Sequence, residues 1–208
     1  MSQSPKTSFS LQGSFFSGVD LGQKRDHSVI AVVEKKDREV YLVHLKRFKL
    51  GTEYGSVLGY LKLLNEKMER VQRILIDQTG VGEVFVEEAI KSGLKNAQGI
   101  MLSLPSKQQV LVYVKQLMQE KRVHLYYDVD LINELNIERY ELTKTGQIQF
   151  SHPEGTHDDR LWAFALAVYA SRPEVPQYQG VVIRGRSNRL KFRPRPTGFL
   201  PPSPANVS

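Results

Sequence analysis

Two short apolar runs in this chain each stop on an aspartate that a glycine soon follows: Phe15-Phe16-Ser17-Gly18-Val19-Asp20-Leu21-Gly22 and Ile74-Leu75-Ile76-Asp77-Gln78-Thr79-Gly80. The all-apolar Ile74-Leu75-Ile76 reads as a strand covered on both faces, which requires a sheet with helices on either side. An acid at the carboxyl end of such a strand stands where open sheets place their ligands. A further acidic pair, in His157-Asp158-Asp159-Arg160, opens Leu161-Trp162-Ala163-Phe164-Ala165-Leu166-Ala167-Val168-Tyr169-Ala170. That segment is apolar on every side and helix-prone, so a buried helix is expected with two carboxylates at its start. Each feature is ordinary alone. Together they bring Asp20, Asp77, Asp158 and Asp159 to one site, where they would repel one another unless a hard cation neutralised them.

The rest of the chain fits an α/β domain around that site. Three β-rich segments near residues 15–21, 28–34 and 39–47, with Lys35-Lys36-Asp37-Arg38 as a hairpin turn, predict an antiparallel start. Thr52 is placed to cap a helix running to about residue 70, whose Val57, Leu58, Leu61, Leu64 and Met68 recur at helical spacing. Helices over 81–92 and 106–120 alternate with strands at 99–102 and 122–125, the rhythm of parallel crossovers. A short helix is expected over 128–135, and a hairpin over 138–150 turning at Thr143-Lys144-Thr145-Gly146. The expected fold is a mixed β-sheet, antiparallel in its first three strands and then parallel, flanked by helices.

At 208 residues the chain supports one substantial core. The expected organisation is a flexible polar leader over 1–13, a folded domain over 14–172 and a tail over 173–208. Six of the seven net positive charges fall after Glu174, on Arg184, Arg186, Arg189, Lys191, Arg193 and Arg195, leaving +1 for the body. Prolines at 194, 196, 201, 202 and 204 make this tail an extended arm rather than a packed element. It reads either as a solubilising segment or as a phosphate-binding arm. With no run of eighteen apolar residues and no secretory leader, an intracellular protein that is not secreted is expected. The absence of cysteine removes disulfides, thiolate metal sites and cysteine nucleophiles, and oxygen ligands then point to Mg²⁺ or Mn²⁺.

Each acidic motif also has a plain structural explanation. Asp20 could simply begin a turn at Gly22. Thr79-Gly80-Val81-Gly82 could be a tight strand-to-helix connection, or could let the backbone approach a phosphate. One of Asp158 and Asp159 could serve as a helix N-cap, but the second acid is surplus to that role. His157 could orient a carboxylate, contact a phosphate or transfer a proton, or be an exposed loop histidine. Trp162 and Phe164, among apolar neighbours, are expected in the core rather than as base-stacking residues.

Gly18-Val19-Asp20-Leu21-Gly22, Ile76-Asp77-Gln78-Thr79-Gly80-Val81-Gly82 and His157-Asp158-Asp159 followed by Ala163-Phe164-Ala165-Leu166-Ala167 resemble the nuclease domain of viral large terminase subunits, a RuvC-like domain of the ribonuclease-H superfamily. Ser106-Lys107-Gln108-Gln109, Lys121-Arg122-Val123-His124-Leu125, Leu131-Ile132-Asn133-Glu134-Leu135 and the glycine-containing hairpin follow that family's order, so the likeness covers about residues 15–171. The resemblance implies a ribonuclease-H-like fold and a two-metal endonuclease acting on double-stranded DNA during genome packaging. Asp20 would bridge two Mg²⁺ or Mn²⁺ ions, with Asp77, Asp159 and Asp158 completing their shells and His157 orienting a ligand or contacting phosphate. It also implies a small terminase subunit, a portal and a packaging ATPase domain as partners, and the cytoplasm of an infected host cell as the location. No G-x-x-x-x-G-K-[ST] phosphate loop occurs in this sequence, so it reads as either an excised nuclease domain or a stand-alone relative, neither expected to translocate DNA by itself. Lys24, Arg25, Lys107, Lys144, Arg184 and Arg186 are candidates for contacts to DNA, or solvated surface cations.

Three other readings compete. An Asp-Leu-Gly turn is similar to the first phosphate motif of actin-like ATPases, which need two such domains where this chain has room for one. A RuvC-like Holliday-junction resolvase would need a symmetric dimer. A non-catalytic nucleic-acid-binding module would bind through the basic arm alone, but uncompensated acids would hinder it.

Overall fold

The apolar runs become the middle of a sheet. In the computed structural model, which describes residues 13–22, 26–68, 71–142, 148–151 and 157–173, β1 (Ser14–Asp20) pairs antiparallel with β2 (Val29–Lys36), and β2 with β3 (Glu39–Arg47). On its other side β1 pairs parallel with β4 (Val71–Asp77), which is followed by β5 (Ala97–Ile100); β6 (Val123–His124) adds parallel to β3. The order is β5-β4-β1-β2-β3-β6. Only β2 runs against the rest of this sheet. The antiparallel start followed by parallel strands is what the sequence predicts, and it brings the ends of β1 and β4, where Asp20 and Asp77 lie, side by side.

Five helices lie among the described residues: α1 (Tyr54–Lys67), α2 (Gly82–Lys91), α3 (Leu104–Gln119), α4 (Val129–Ile137) and α5 (Asp159–Ala170). The hairpin β7 (Arg139–Leu142) and β8 (Ile148–Ser151) forms a separate two-stranded sheet. Successive strand residues point to opposite faces, and the two cores follow that rule. Phe15, Val19, Ile30 and Val32 face α1 and α2 through Val57, Leu61, Phe85 and Ala89. Phe16, Ala31 and Val33 belong to the opposite core, with Val110 and Val114 of α3, Leu131 of α4 and residues 161–170 of α5.

Helix α5 is buried from Leu161 to Ala170, as its unbroken apolar composition predicts. It lies directly on β1. A Cβ at Gly18 would run into the carbonyl of Ala163 and the amide of Ala167, so glycine is what lets the helix backbone reach the strand. Burying Leu161, Phe164, Leu166 and Val168 contributes about 1.5–3 kcal/mol each, which holds the helix in place although its first turn carries mutually repelling acids.

Several boundaries differ from the expected ones. Thr52 does not cap α1; Glu53 occupies the cap position without a side-chain bond, while the Thr52 hydroxyl donates to the Lys49 carbonyl at 2.7 Å. The helix ends at Lys67 rather than near residue 70. Helix α3 begins two residues earlier than expected, because Ser103 caps it and proline sits in its first turn, where a missing N–H costs nothing. Strand β2 continues through Lys36, so the turn narrows to Asp37-Arg38, with Asp37 at φ 53°, a left-handed conformation that aspartate tolerates better than most residues. The turn expected at residues 143–146, the leader over 1–12 and the tail from 174 lie outside the described residues. So do Lys24, Arg25, Lys144, Arg184 and Arg186.

Candidate metal centre

The cleft at the carboxyl ends of β1 and β4 has a volume of about 360 Å³ and is lined by Asp20, Asp26, Asp77, His157, Asp158 and Asp159, together with Lys107, Trp162, Leu21, Gly22 and Leu102. All four aspartates singled out in the sequence therefore meet there, along with His157 and Lys107. Asp20 arrives on the last residue of β1 and Asp77 on the last residue of β4. Asp158 and Asp159 arrive at the start of α5, which Gly18 draws against β1.

Each carboxylate is held differently. Asp77 Oδ1 accepts from the amide of Thr79 at 2.9 Å and from its hydroxyl at 2.7 Å, so the Thr79-Gly80 turn fixes its orientation. Asp158 Oδ2 accepts from the indole Nε1 of Trp162 at 2.7 Å, one helical turn along. Asp159 is 5% exposed and its Oδ2 accepts from the His27 amide at 3.2 Å. Lys107 Nζ stands 4.6 Å from the centre of the Trp162 ring, a cation over a π face, at the wall of the cleft.

Burial of Asp20 raises its pKa well above the ordinary carboxylate range, and the negative charges of Asp159, Asp77 and Asp158 push the same way, against a smaller pull from Lys107. The pKa of Asp159 is raised too, first by burial, with the His27 amide and His157 opposing and Asp26 and Asp158 adding to it. Carboxylates that resist ionisation only because of burial and one another are relieved by a divalent cation placed among them. One of the four aspartates, Asp159, belongs to a group of side chains close enough to hold such a cation. Ligand atoms of Asp26, His157 and Asp159 lie within 4.8 Å of one another, and carboxylate oxygens are the ligands that Mg²⁺ and Mn²⁺ prefer.

Asp26 is the residue that reading the sequence missed. It sits in the loop between β1 and β2, whose ends are tied down: the Gly22 amide donates to Ser28 Oγ at 3.2 Å, the Tyr54 hydroxyl donates to the Gly22 carbonyl at 3.0 Å, and His27 Nδ1 lies 2.8 Å from the Phe48 carbonyl. Gly22 itself matters for close approach: a Cβ there would collide with the Asp26 carbonyl. The signal was an acid three residues before β2, at the return of the loop that leaves Asp20. Trp162 is core, 3% exposed, as expected, yet its N–H also reaches the cleft.

A six-stranded mixed sheet flanked by helices, with acids at the ends of two adjacent central strands and at the start of the helix packed across them, defines a ribonuclease-H-like domain. A crystal structure of the large terminase nuclease from the thermophilic phage G20c superposes with a TM-score of 0.68 at 26% identity, over 78% of this chain and 84% of that one. A crystal structure of that nuclease with bound magnesium gives 0.68 and 26%, over 76% and 82%. In sequence, the terminase large subunit of Thermus virus P23-45 is 27% identical over 175 residues, which is 84% of this chain and 35% of that relative, so the chain spans about a third of the relative's length. Residues 17–170 match the family described as Terminase RNaseH-like domain, and the chain belongs to that family.

Proposed function

We propose that this chain is a divalent-metal-dependent endodeoxyribonuclease of the terminase type, which cuts double-stranded viral DNA during genome packaging by two-metal-ion phosphodiester hydrolysis. The observation that carries this reading is the convergence of Asp20, Asp77, Asp158 and Asp159 on one cleft, in a fold whose nuclease relative was crystallised with magnesium. Mg²⁺ or Mn²⁺ bound there would supply a Lewis acid for the phosphate and an activated water. Asp20, central and flanked by the other acids, is the residue that would bridge two ions; Asp77 and Asp159, with Asp158, would complete their shells, and Asp26 and His157 extend the set. Asp77, tied by Thr79, and Asp158, tied by Trp162, offer pre-oriented oxygens. Lys107, held over Trp162, would contact a backbone phosphate at the rim. Lys24, Arg25, Lys144, Arg184 and Arg186 remain candidates for the wider DNA contact. A small terminase subunit, a portal and a packaging ATPase domain are the proposed partners, in the cytoplasm of the infected cell.

Incubation with supercoiled plasmid in Mg²⁺, Mn²⁺, Ca²⁺ or EDTA tests the reading. Nicking is expected with Mg²⁺ and at least equally with Mn²⁺, very little with Ca²⁺, whose larger and looser shell misplaces the water and phosphate, and none with EDTA. ATP should be unnecessary. Asp20→Asn should lower the rate by orders of magnitude; full cleavage by that variant in the presence of metal would overturn the mechanism.

A further inference from the structure

Helix α5 begins beside the cleft, yet its N-cap residue does not cap it. The first amides of a helix have no partner within it and need an acceptor from elsewhere. Asp158 occupies the cap position, but no side-chain cap bond forms there, and its Oδ2 is taken by Trp162 Nε1. The acceptor comes from another helix. Glu134 of α4 is buried, 6% exposed, and its Oε2 accepts from the Leu161 amide at 2.9 Å. The same helix holds the outer side of that turn: Arg160 Nη1 donates to Asp130 Oδ2 at 2.5 Å and lies 3.4 Å from Asp128 Oδ1. Asp128 in turn caps α4 by accepting from the Leu131 amide at 2.9 Å, so brace and braced segment share one network.

We infer that Glu134 is a positioning residue for the acid pair: by capping α5 from α4, with Arg160 tethered to Asp128 and Asp130, it relieves Asp158 of the capping role and fixes the first turn so that Asp158 and Asp159 present their carboxylates to the cleft. Burying this carboxylate costs desolvation that a leucine in the same space would avoid, and what it makes in return is the bond to the Leu161 amide at the start of α5. The inference rests on the metal reading proposed above and assigns it a residue that touches neither metal nor DNA.

Four proteins test it: the parent, Glu134→Gln, which keeps an acceptor of the same length, Glu134→Leu, which removes it, and Arg160→Met, which cuts the tether. Mn²⁺ dissociation constants by calorimetry, kcat and KM for plasmid nicking and metal-free thermal unfolding are measured on each. Groups that hold metal ligands from behind cost about 10–100-fold in affinity or activity when removed. Glu134→Leu is therefore expected to weaken Mn²⁺ binding and lower kcat by about that factor with KM for DNA unchanged, whereas Glu134→Gln stays within about 3-fold of the parent. A Glu134→Leu protein that melts lower but binds Mn²⁺ with parental affinity would overturn the inference and leave α4 with a purely stabilising role. Should Glu134→Leu fail to fold, Arg160→Met decides: several-fold weaker Mn²⁺ binding upholds the brace, and parental affinity overturns it. If the parent itself binds no Mn²⁺ and cuts nothing, the metal reading has failed, and hydrogen exchange in metal-free protein then decides the brace. Exchange at the Leu161 amide about 10-fold faster in Glu134→Leu, with the rest of α5 unchanged, upholds it; unchanged exchange overturns it.

Discussion

Buried carboxylates in this domain work against its stability unless something neutralises them, and two residues make that measurable. Asp20 has a raised pKa through burial and three neighbouring acids, so the folded protein holds that proton more tightly than the unfolded chain does. Where folding raises the pKa of an acid, stability falls as pH climbs from the unfolded value towards the folded one. Metal-free Asp20→Asn should therefore be at least as stable as the parent at pH 8, with a melting temperature rising about 2–4 °C for each kcal/mol gained, while it loses cleavage. A lower melting point would show that Asp20 is held by favourable contacts instead of crowded by unfavourable ones. Glu134 gives a sharper window. Burial lifts it to about 7, against the pull of the Leu161 and Arg160 amides and the Arg160 charge, with Asp159 adding to the rise. The parent should lose stability relative to Glu134→Gln between the ordinary carboxylate range and pH 7, by at most about 1.4 kcal/mol per pH unit, with a constant difference above. Denaturant unfolding of both proteins from pH 5 to 8 checks this; parallel curves would mean that Glu134 ionises normally in the fold.

Among the elements, α5 and β1 carry the site between them, and their packing depends on one missing side chain. The Gly18 backbone meets the backbone of α5 at Ala163 and Ala167, so Gly18→Ala must push the helix away or bend the strand. Overpacking of this kind costs about 1–3 kcal/mol, and it should also spread Asp20 from Asp159. Gly18→Ala is expected to melt lower and to bind Mn²⁺ more weakly, whereas Ala165→Gly, which removes a methyl from the same helix, should melt lower with metal binding little changed. Equal metal affinity in both would show that helix placement is not what sets the site. Much of this is legible in the sequence: the apolar strands ending on acids, the all-round apolar helix and the order of elements follow from hydrophobic patterning, which is a local property. The close approach at Gly18 and the capping of α5 by Glu134 are not, because both pair residues far apart in sequence whose chemistry is unremarkable until the chain is folded. Asp158 shows the limit well. Its position makes an N-cap the natural reading, yet its Oδ2 accepts from the indole of Trp162, one turn on, and no side-chain cap bond forms.

On the scale of the whole molecule, charge is the feature that folding leaves unexplained. The cleft concentrates acids, and an acidic cleft repels the polyanion it is proposed to cut until metal is bound. Attraction must then come from elsewhere on the chain. Lys107 is the single lysine or arginine among the described residues that line the cleft, and the six basic residues after Glu174 supply almost all of the net charge of +7. The tail cations, Arg184 and Arg186 among them, are candidates because charge without matching acids has few structural uses, and Lys144 is a candidate from its place in the expected hairpin turn. If the tail binds phosphates, deleting residues 176–208 should weaken binding to every duplex alike and reduce the salt dependence, by about 0.9 in the log–log slope for each phosphate no longer neutralised. The acids should be undisturbed, since α5 ends at Ala170 and carries Asp158 and Asp159 at its opposite end. Cleavage at saturating DNA and low salt should then remain near the parental rate, with the deficit confined to affinity. Fluorescence anisotropy of a labelled duplex in Ca²⁺, titrated between about 50 and 200 mM salt, separates the outcomes: an unchanged slope would make the tail a bystander and place the DNA-binding surface on the domain itself.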